Sequence, residues 1–182
     1  MKPSLFVAAL LALSSPLLQA AQSDYFLKID GIKGESADSA HTAEIEVSSF
    51  SWGVSNSSTI AGGGGTAGKA SFQDIHFTIA LDKSSPTLFL RCADGQHIPT
   101  ATLYVRKPST NGTTGQEFFK IEMKEVLISS YQVSTPPPTS GTAAGAPQQA
   151  ISINYGTIHV EHTAADGTVT RFGWDVKANI KA

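Results

Sequence analysis

Cysteine is almost missing from this chain: Cys92 stands alone, and one thiol cannot close an internal disulfide. That excludes the small disulfide-stapled domains common among exported proteins, so the fold must be held by its own core. The surroundings of Cys92 read as a helix, which fits a buried, inert thiol better than a nucleophile. Charge is scarce as well. Asp, Glu, Lys and Arg make up 15% of the 182 residues and give a net charge of −2, so there is no basic field to attract nucleic acid or an anionic membrane. The apolar run from Leu5 to Leu13 covers about nine residues, well short of the roughly 20 needed to span a bilayer.

Catalytic patterns are missing too. No GxSxG elbow occurs, and no His or Asp is tied to a serine by a recognisable motif. Gly63 to Ala70, GGGTAGKA, nearly matches the phosphate-binding GxxxxGK[ST] pattern, but Ala70 stands where a magnesium-binding hydroxyl is required. A phosphate loop must also open a helix, whereas Phe72 to Leu81 alternates like a strand. His159 and His162 have the spacing of a helical metal pair but sit in a strand pattern, where positions three apart face opposite sides. His41, His76 and His97 are scattered and read as solvated surface residues. Acid pairs such as Asp74 with Glu44, or Glu122 with Glu125, fit a solvated β-face better than acid–base work. No enzymatic activity, cofactor or metal is expected.

What is present begins with an export pattern. Lys2 supplies a charged start, Leu5 to Leu13 an apolar centre, Ser14 to Pro16 a break, and Ala20 and Ala21 small residues at a cleavage point. Residues 1–20 therefore read as a Sec-type signal peptide cut near Ala20. Residues 21–182, about 162 in all, then form one domain, large enough to bury roughly two-thirds of its unfolded surface.

That domain reads as mainly β. Residues 25–30, 43–54, 71–81, 100–107, 116–133, 150–163 and 168–178 carry alternation or β-branched and aromatic content. Ile75, Phe77, Ile79 and Leu81 share one face, as do Phe119, Ile121 and Met123. Ile45 and Val47 are out of phase with Phe50, Trp52 and Val54, which predicts a β-bulge near Ser48 and Ser49. Asp166-Gly167 marks a hairpin turn. One helix is expected over about 84–94, capped by Ser84 or Ser85, entered through Pro86 and ended by Gly95, with a stripe of Leu88, Phe89, Cys92 and Ala93. Two loops have compositions that cannot pack a core: Ser57 to Ala70, with four consecutive glycines, and Ser134 to Gln149, with three consecutive prolines. The expected architecture is a compact β-barrel of two sheets with one flanking α-helix.

Several blocks, in order, resemble the Hcp (hemolysin-coregulated protein) family, the tube proteins of the type VI secretion system. They are Tyr25 to Ser36 (YFLKIDGIKGES), His41, Glu44 and Phe50 to Gly53 (FSWG), then Gly68 to Ser71 and Gln73 to Thr78 (QDIHFT). Asp82 to Pro86 (DKSSP), Ala101 to Lys107 (ATLYVRK) and Gly173 to Asn179 (GWDVKAN) complete the series. The resemblance implies a hexameric ring closed by head-to-tail contacts, stacked into a tube that carries effector cargo, with a contractile sheath around it and a spike at its tip. It also implies that a loop between the second and third strands touches the next ring, here Ser57, Ser58, Thr59, Gly62, Gly63, Gly64, Gly65 and Lys69. Two readings of place stand side by side: a secreted or periplasmic protein exported by its signal, or cytoplasmic assembly followed by type VI export. A second class of function is an exported monomeric β-barrel that binds a partner through its loops, or a secreted hydrolase on such a scaffold. The two classes differ in that the latter requires a polar cavity with converging titratable groups.

Overall fold

The computed structural model describes residues 23–57, 68–108, 115–135, 137 and 145–182. Six strands close on one another: β1 (Asp24–Ile29), β2 (Ile45–Ser51), β5 (Ile75–Ala80), β6 (Ile98–Arg106), β7 (Glu117–Ser134) and β8 (Gln148–Asn154). In space they run β7-β6-β1-β2-β5-β8, and β8 returns to β7 to complete the barrel. One hairpin and a three-strand extension lie outside it. β3 (Val54–Asn56) pairs only with β4 (Ala70–Phe72), while β9 (Thr157–Thr163), β10 (Val169–Asp175) and β11 (Ile180–Lys181) continue the sheet beyond β7 as a wing. Apart from the local hairpins, most pairings join distant parts of the sequence, as in the β1 and β6 ladder from Asp24↔Arg106 to Ile29↔Ala101.

The interior is filled with aliphatic side chains. Leu27, Ile45, Ile75, Phe77, Ile79, Leu103, Ile121, Met123, Ile151 and Ile153 are each no more than 1% exposed, so the barrel is a packed core and not a vessel. Each such side chain contributes on the order of 1.5–3 kcal/mol by leaving water. The expected face of β5 holds for Ile75, Phe77 and Ile79, whereas Leu81 lies past the strand end and is 42% exposed.

Long strands bend where their inward phase slips. The register of β2 against β5 shifts between Val47 and Ser49, where the sequence phase changes. A second slip occurs in β7: Ile121 and Met123 face inward, and beyond Glu125 the buried residues are Val126 and Ile128. Glu125 takes φ +53 at that point. Opposite it, the N–H of Gly156 donates to Lys124 O at 2.9 Å, and a Cβ on Gly156 would stand 2.7 Å from Glu125 Oε2. Glycine therefore allows β7 and the β8–β9 segment to turn together, from the barrel wall into the wing.

Three stretches read as single strands are each split in two. The breaks fall at Trp52-Gly53, Gln73-Asp74 and Tyr155-Gly156, and one hydrogen-bond chain joins them: Trp52 Nε1 donates to Tyr155 Oη at 2.9 Å, and Tyr155 Oη donates to Gln73 O at 3.0 Å. Tyr155 is 4% exposed, and burial pushes its phenol pKa up. Asp74 fastens the same junction, accepting from Ser129 Oγ at 2.5 Å and Asn154 Nδ2 at 2.7 Å.

The helix α1 (Ser85–Asp94) ends at Gly95, whose φ of +63 is the left-handed cap expected there. Its start differs from expectation. Ser84 adopts helical angles and makes no side-chain cap bond. Asp82 supplies the cap, accepting from Ser84 N at 2.9 Å and from the Ser84 hydroxyl, while Asp82 N donates to Ser85 Oγ at 3.0 Å. The apolar stripe is also corrected. Leu88 is fully buried and Cys92 half-buried along the side that follows Ser84, Leu88 and Cys92 at fourfold spacing, Ala93 faces solvent, and Phe89 is 59% exposed with its ring against Tyr131 of β7 at 5.7 Å.

Candidate assembly surface

The loop expected to reach a neighbouring ring leaves the barrel through β3 and returns through β4, in the register Val54↔Phe72, Ser55↔Ser71 and Asn56↔Ala70. Ser57 and Lys69, at the far end of this hairpin, are exposed. Ser58, Thr59, Gly62, Gly63, Gly64 and Gly65 lie outside the described residues. At the base, the Phe72 ring packs 6.1 Å from that of Trp174 on β10, so the hairpin rests on the wing. Lys69 is followed by the strand β4, not by the helix a phosphate loop requires.

A second cluster sits where β1, β6 and the segment 33–44 meet. The Gly34 N–H donates to Ala43 O at 2.9 Å, and Ser36 N to Glu44 O at 3.0 Å. A Cβ on Gly34 would lie 2.3 Å from Glu44 O, so only glycine lets these two backbones approach so closely. His41 lands inside this fold-back. It is 3% exposed, stacked 4.2 Å above Phe26, with Nδ1 2.9 Å from Glu44 Oε2. Glu117 Oε1 lies 3.3 Å from Nε2, an ion-pair distance without hydrogen-bond alignment. The solvated histidine expected from the sequence is thus a core residue, because Phe26, Tyr104 and Glu117 arrive from distant strands to enclose it. His76 and His97 are exposed as expected, with His76 Nδ1 2.7 Å from Ser152 Oγ. His159 and His162 occupy opposite faces of β9, pairing with Gly173 and Thr170.

Beside His41, the buried guanidinium of Arg106 donates from Nη2 to Asp38 at 2.7 Å and to Asp24 at 3.1 Å, and lies over the Phe26 ring at 4.8 Å. The bond from Arg106 lowers the Asp38 pKa from 3.8 to about 2, while the two carboxylates raise that of Arg106. Asp24, Asp38 and Glu46 also wall an open groove of about 470 Å³. Its arginine is already held by two carboxylates, which makes the cluster a clasp between strand and loop.

On the wing, Glu161 accepts from Arg171 across the strands, which lowers its pKa, with Lys120 at 3.5 Å. The wing and helix carry most of the exposed large apolar side chains: Phe172 at 62%, Ile180 at 59%, Val169 at 53%, Phe89 at 59% and Leu90 at 53%. Sequence reasoning missed this asymmetry. Its signal was present in part, since Phe172 stands in a strand pattern between charged and small residues.

Among the described residues, a closed six-strand barrel, a single helix and an excursion between the second and third barrel-wall segments form the arrangement against which known proteins can be set. The model of the family described as "Type VI secretion system effector, Hcp" matches residues 26–162. The chain belongs to the Hcp family. This Hcp chain is 39% identical over 168 residues to the protein Hcp1 of Pseudomonas aeruginosa, an alignment that covers 87% of this chain and 98% of that protein. The crystal structure of Hcp1 from Salmonella typhimurium superposes with a TM-score of 0.70 at 34% identity, covering 88% of this chain and 99% of that one. A type VI secretion system effector from Yersinia pestis superposes with a TM-score of 0.65 at 28% identity, covering 84% and 100% respectively. These matches place the protein in the type VI secretion context, and the barrel with its flanking helix is the Hcp fold.

Proposed function

We propose that this Hcp chain is a structural subunit that closes into hexameric rings and stacks them into a conduit for effector cargo. The observation that carries the reading is the filled barrel. With its interior side chains no more than 1% exposed, a single chain holds no channel, so any conduit lies between copies. The same filled interior argues against a barrel that houses a ligand, and the polar groups that converge at Arg106 and His41 are ion-paired, Arg106 Nη2 to Asp24 and Asp38 and His41 Nδ1 to Glu44. Family membership supports the sheath, spike and cargo proteins of a type VI system as partners.

Within this reading, residues 1–20 act as a signal removed near Ala20, which exports the subunit. The loop from Ser57 to Lys69 touches the next ring, anchored at its base by Phe72 against Trp174. The test is expression of the whole gene, with the mature N-terminus read by mass spectrometry and the native mass measured on the same sample. The expected result is a chain beginning at Ala21 and a particle of about six subunits, as a closed cyclic assembly requires. Deleting Gly62 to Gly65 should abolish stacking and leave the single ring. A strictly monomeric protein at high concentration would overturn the reading.

A further inference from the structure

We propose that the uncovered inner face of the β9–β10 wing is covered by helix α1 of a second copy of this chain. The contact is helix on sheet, repeated head to tail around the ring. It rests on the ring reading above and names the two surfaces that would meet.

The first surface follows from strand register. Cross-strand partners point to the same side of a sheet, and one row runs Ile45↔Leu27↔Leu103↔Ile121↔Val160↔Phe172. Its first four members are no more than 1% exposed, yet Phe172 is 62% exposed. Phe172 is therefore a core-facing residue that has run past the edge of the barrel. The neighbouring row, Ala101↔Met123↔Ile158↔Trp174, is closed by Phe72 over Trp174. Among the described residues, apolar cover from the chain itself thus stops two residues short of Phe172, over whose ring Lys181 Nζ lies 5.5 Å from the centroid. A sheet that is apolar on one face needs a second layer there.

The second surface is on α1. Leu88 faces the barrel, whereas Pro86, Phe89, Leu90 and Ala93 are exposed, at positions i, i+3, i+4 and i+7. That spacing makes one continuous apolar stripe, open to solvent except where the Phe89 ring meets Tyr131. A helix apolar on two sides is expected to be covered on both.

The surfaces differ and lie apart. The wing joins β7 near Ile121, while Phe89 packs against Tyr131, ten strand residues or roughly 30 Å further along. A contact between two unlike surfaces of one chain cannot stop at a symmetric dimer; it closes into a ring or runs on as a fibre.

The test uses the full chain and native mass. Phe172→Asp and Leu90→Asp, both at exposed positions, should each reduce the wild-type oligomer to single chains. In a Cys92→Ala background, Phe172→Cys with Leu90→Cys should form disulfides between copies on mild oxidation, giving a ladder of multimers on a non-reducing gel. If a charged variant loses its β-sheet circular dichroism, the uncharged cysteine pair decides. The inference is overturned if the wild type is oligomeric but either folded Asp variant keeps the wild-type mass, or if the cysteine pair gives no ladder. A wild type that is itself monomeric would instead sink the ring reading.

Discussion

Arg106 shows how one residue can tie sequence-distant parts together. It is 4% exposed, and its guanidinium holds Asp24 at the start of β1 and Asp38 in the segment leading to β2. A buried cation would cost several kcal/mol without such partners. The folded pKa of Asp38, about 2, is below its ordinary 3.8. Its contribution is therefore fully present above pH ~4 and is lost as pH falls through about 2. In urea unfolding, the wild type should lose on the order of 2 kcal/mol more than Asp38→Asn across that window. Asp38→Asn should already be less stable at pH 7, and its own acid decline should be shallower by that amount. An unchanged slope would show that Asp38 does not carry the dependence. The burial of His41 belongs to the same scale and was not legible in the sequence. His41-Thr42-Ala43-Glu44 is locally polar, and the rings and carboxylate that enclose its imidazole come from Phe26, Tyr104 and Glu117.

Among the elements, strand existence was legible and strand ends were not. Alternation marked the walls of the barrel, and the phase change at Ser48 and Ser49 gave the bulge observed between Val47 and Ser49. The breaks at Gly53, Asp74 and Gly156 escaped because β-forming residues continue across them. They are fixed by the Trp52, Tyr155 and Gln73 chain, whose members are over 80 positions apart in two of its links. The helix was legible through Pro86 and Gly95, but its faces were not, since Leu88 and Phe89 are neighbours that face opposite demands. Leu88 is the one fully buried residue of α1. Leu88→Ala should cost about 2–4 kcal/mol through the cavity it leaves, measured by urea unfolding. It should also raise amide exchange across α1 well before the barrel strands exchange. A loss under about 0.5 kcal/mol, as surface substitutions give, would mean that the helix does not depend on this anchor.

At the scale of the whole molecule, a packed barrel, a β3–β4 excursion and a wing left uncovered by the described residues support the proposed reading of a subunit that works through contacts with copies of itself. The Hcp resemblance was legible because its blocks span the domain in order, from Tyr25 to Asn179, and family and fold agree with it. The wing's incompleteness was legible only once register placed Phe172 on the core side of the sheet. The central claim is that this chain encloses a conduit by closing into rings, since its own barrel is filled. Negative-stain electron microscopy of the purified full-length product tests it most directly. The account predicts annular particles with sixfold symmetry and an open centre, some stacked side-on, whereas a uniform field of compact single-chain particles at every concentration would contradict it.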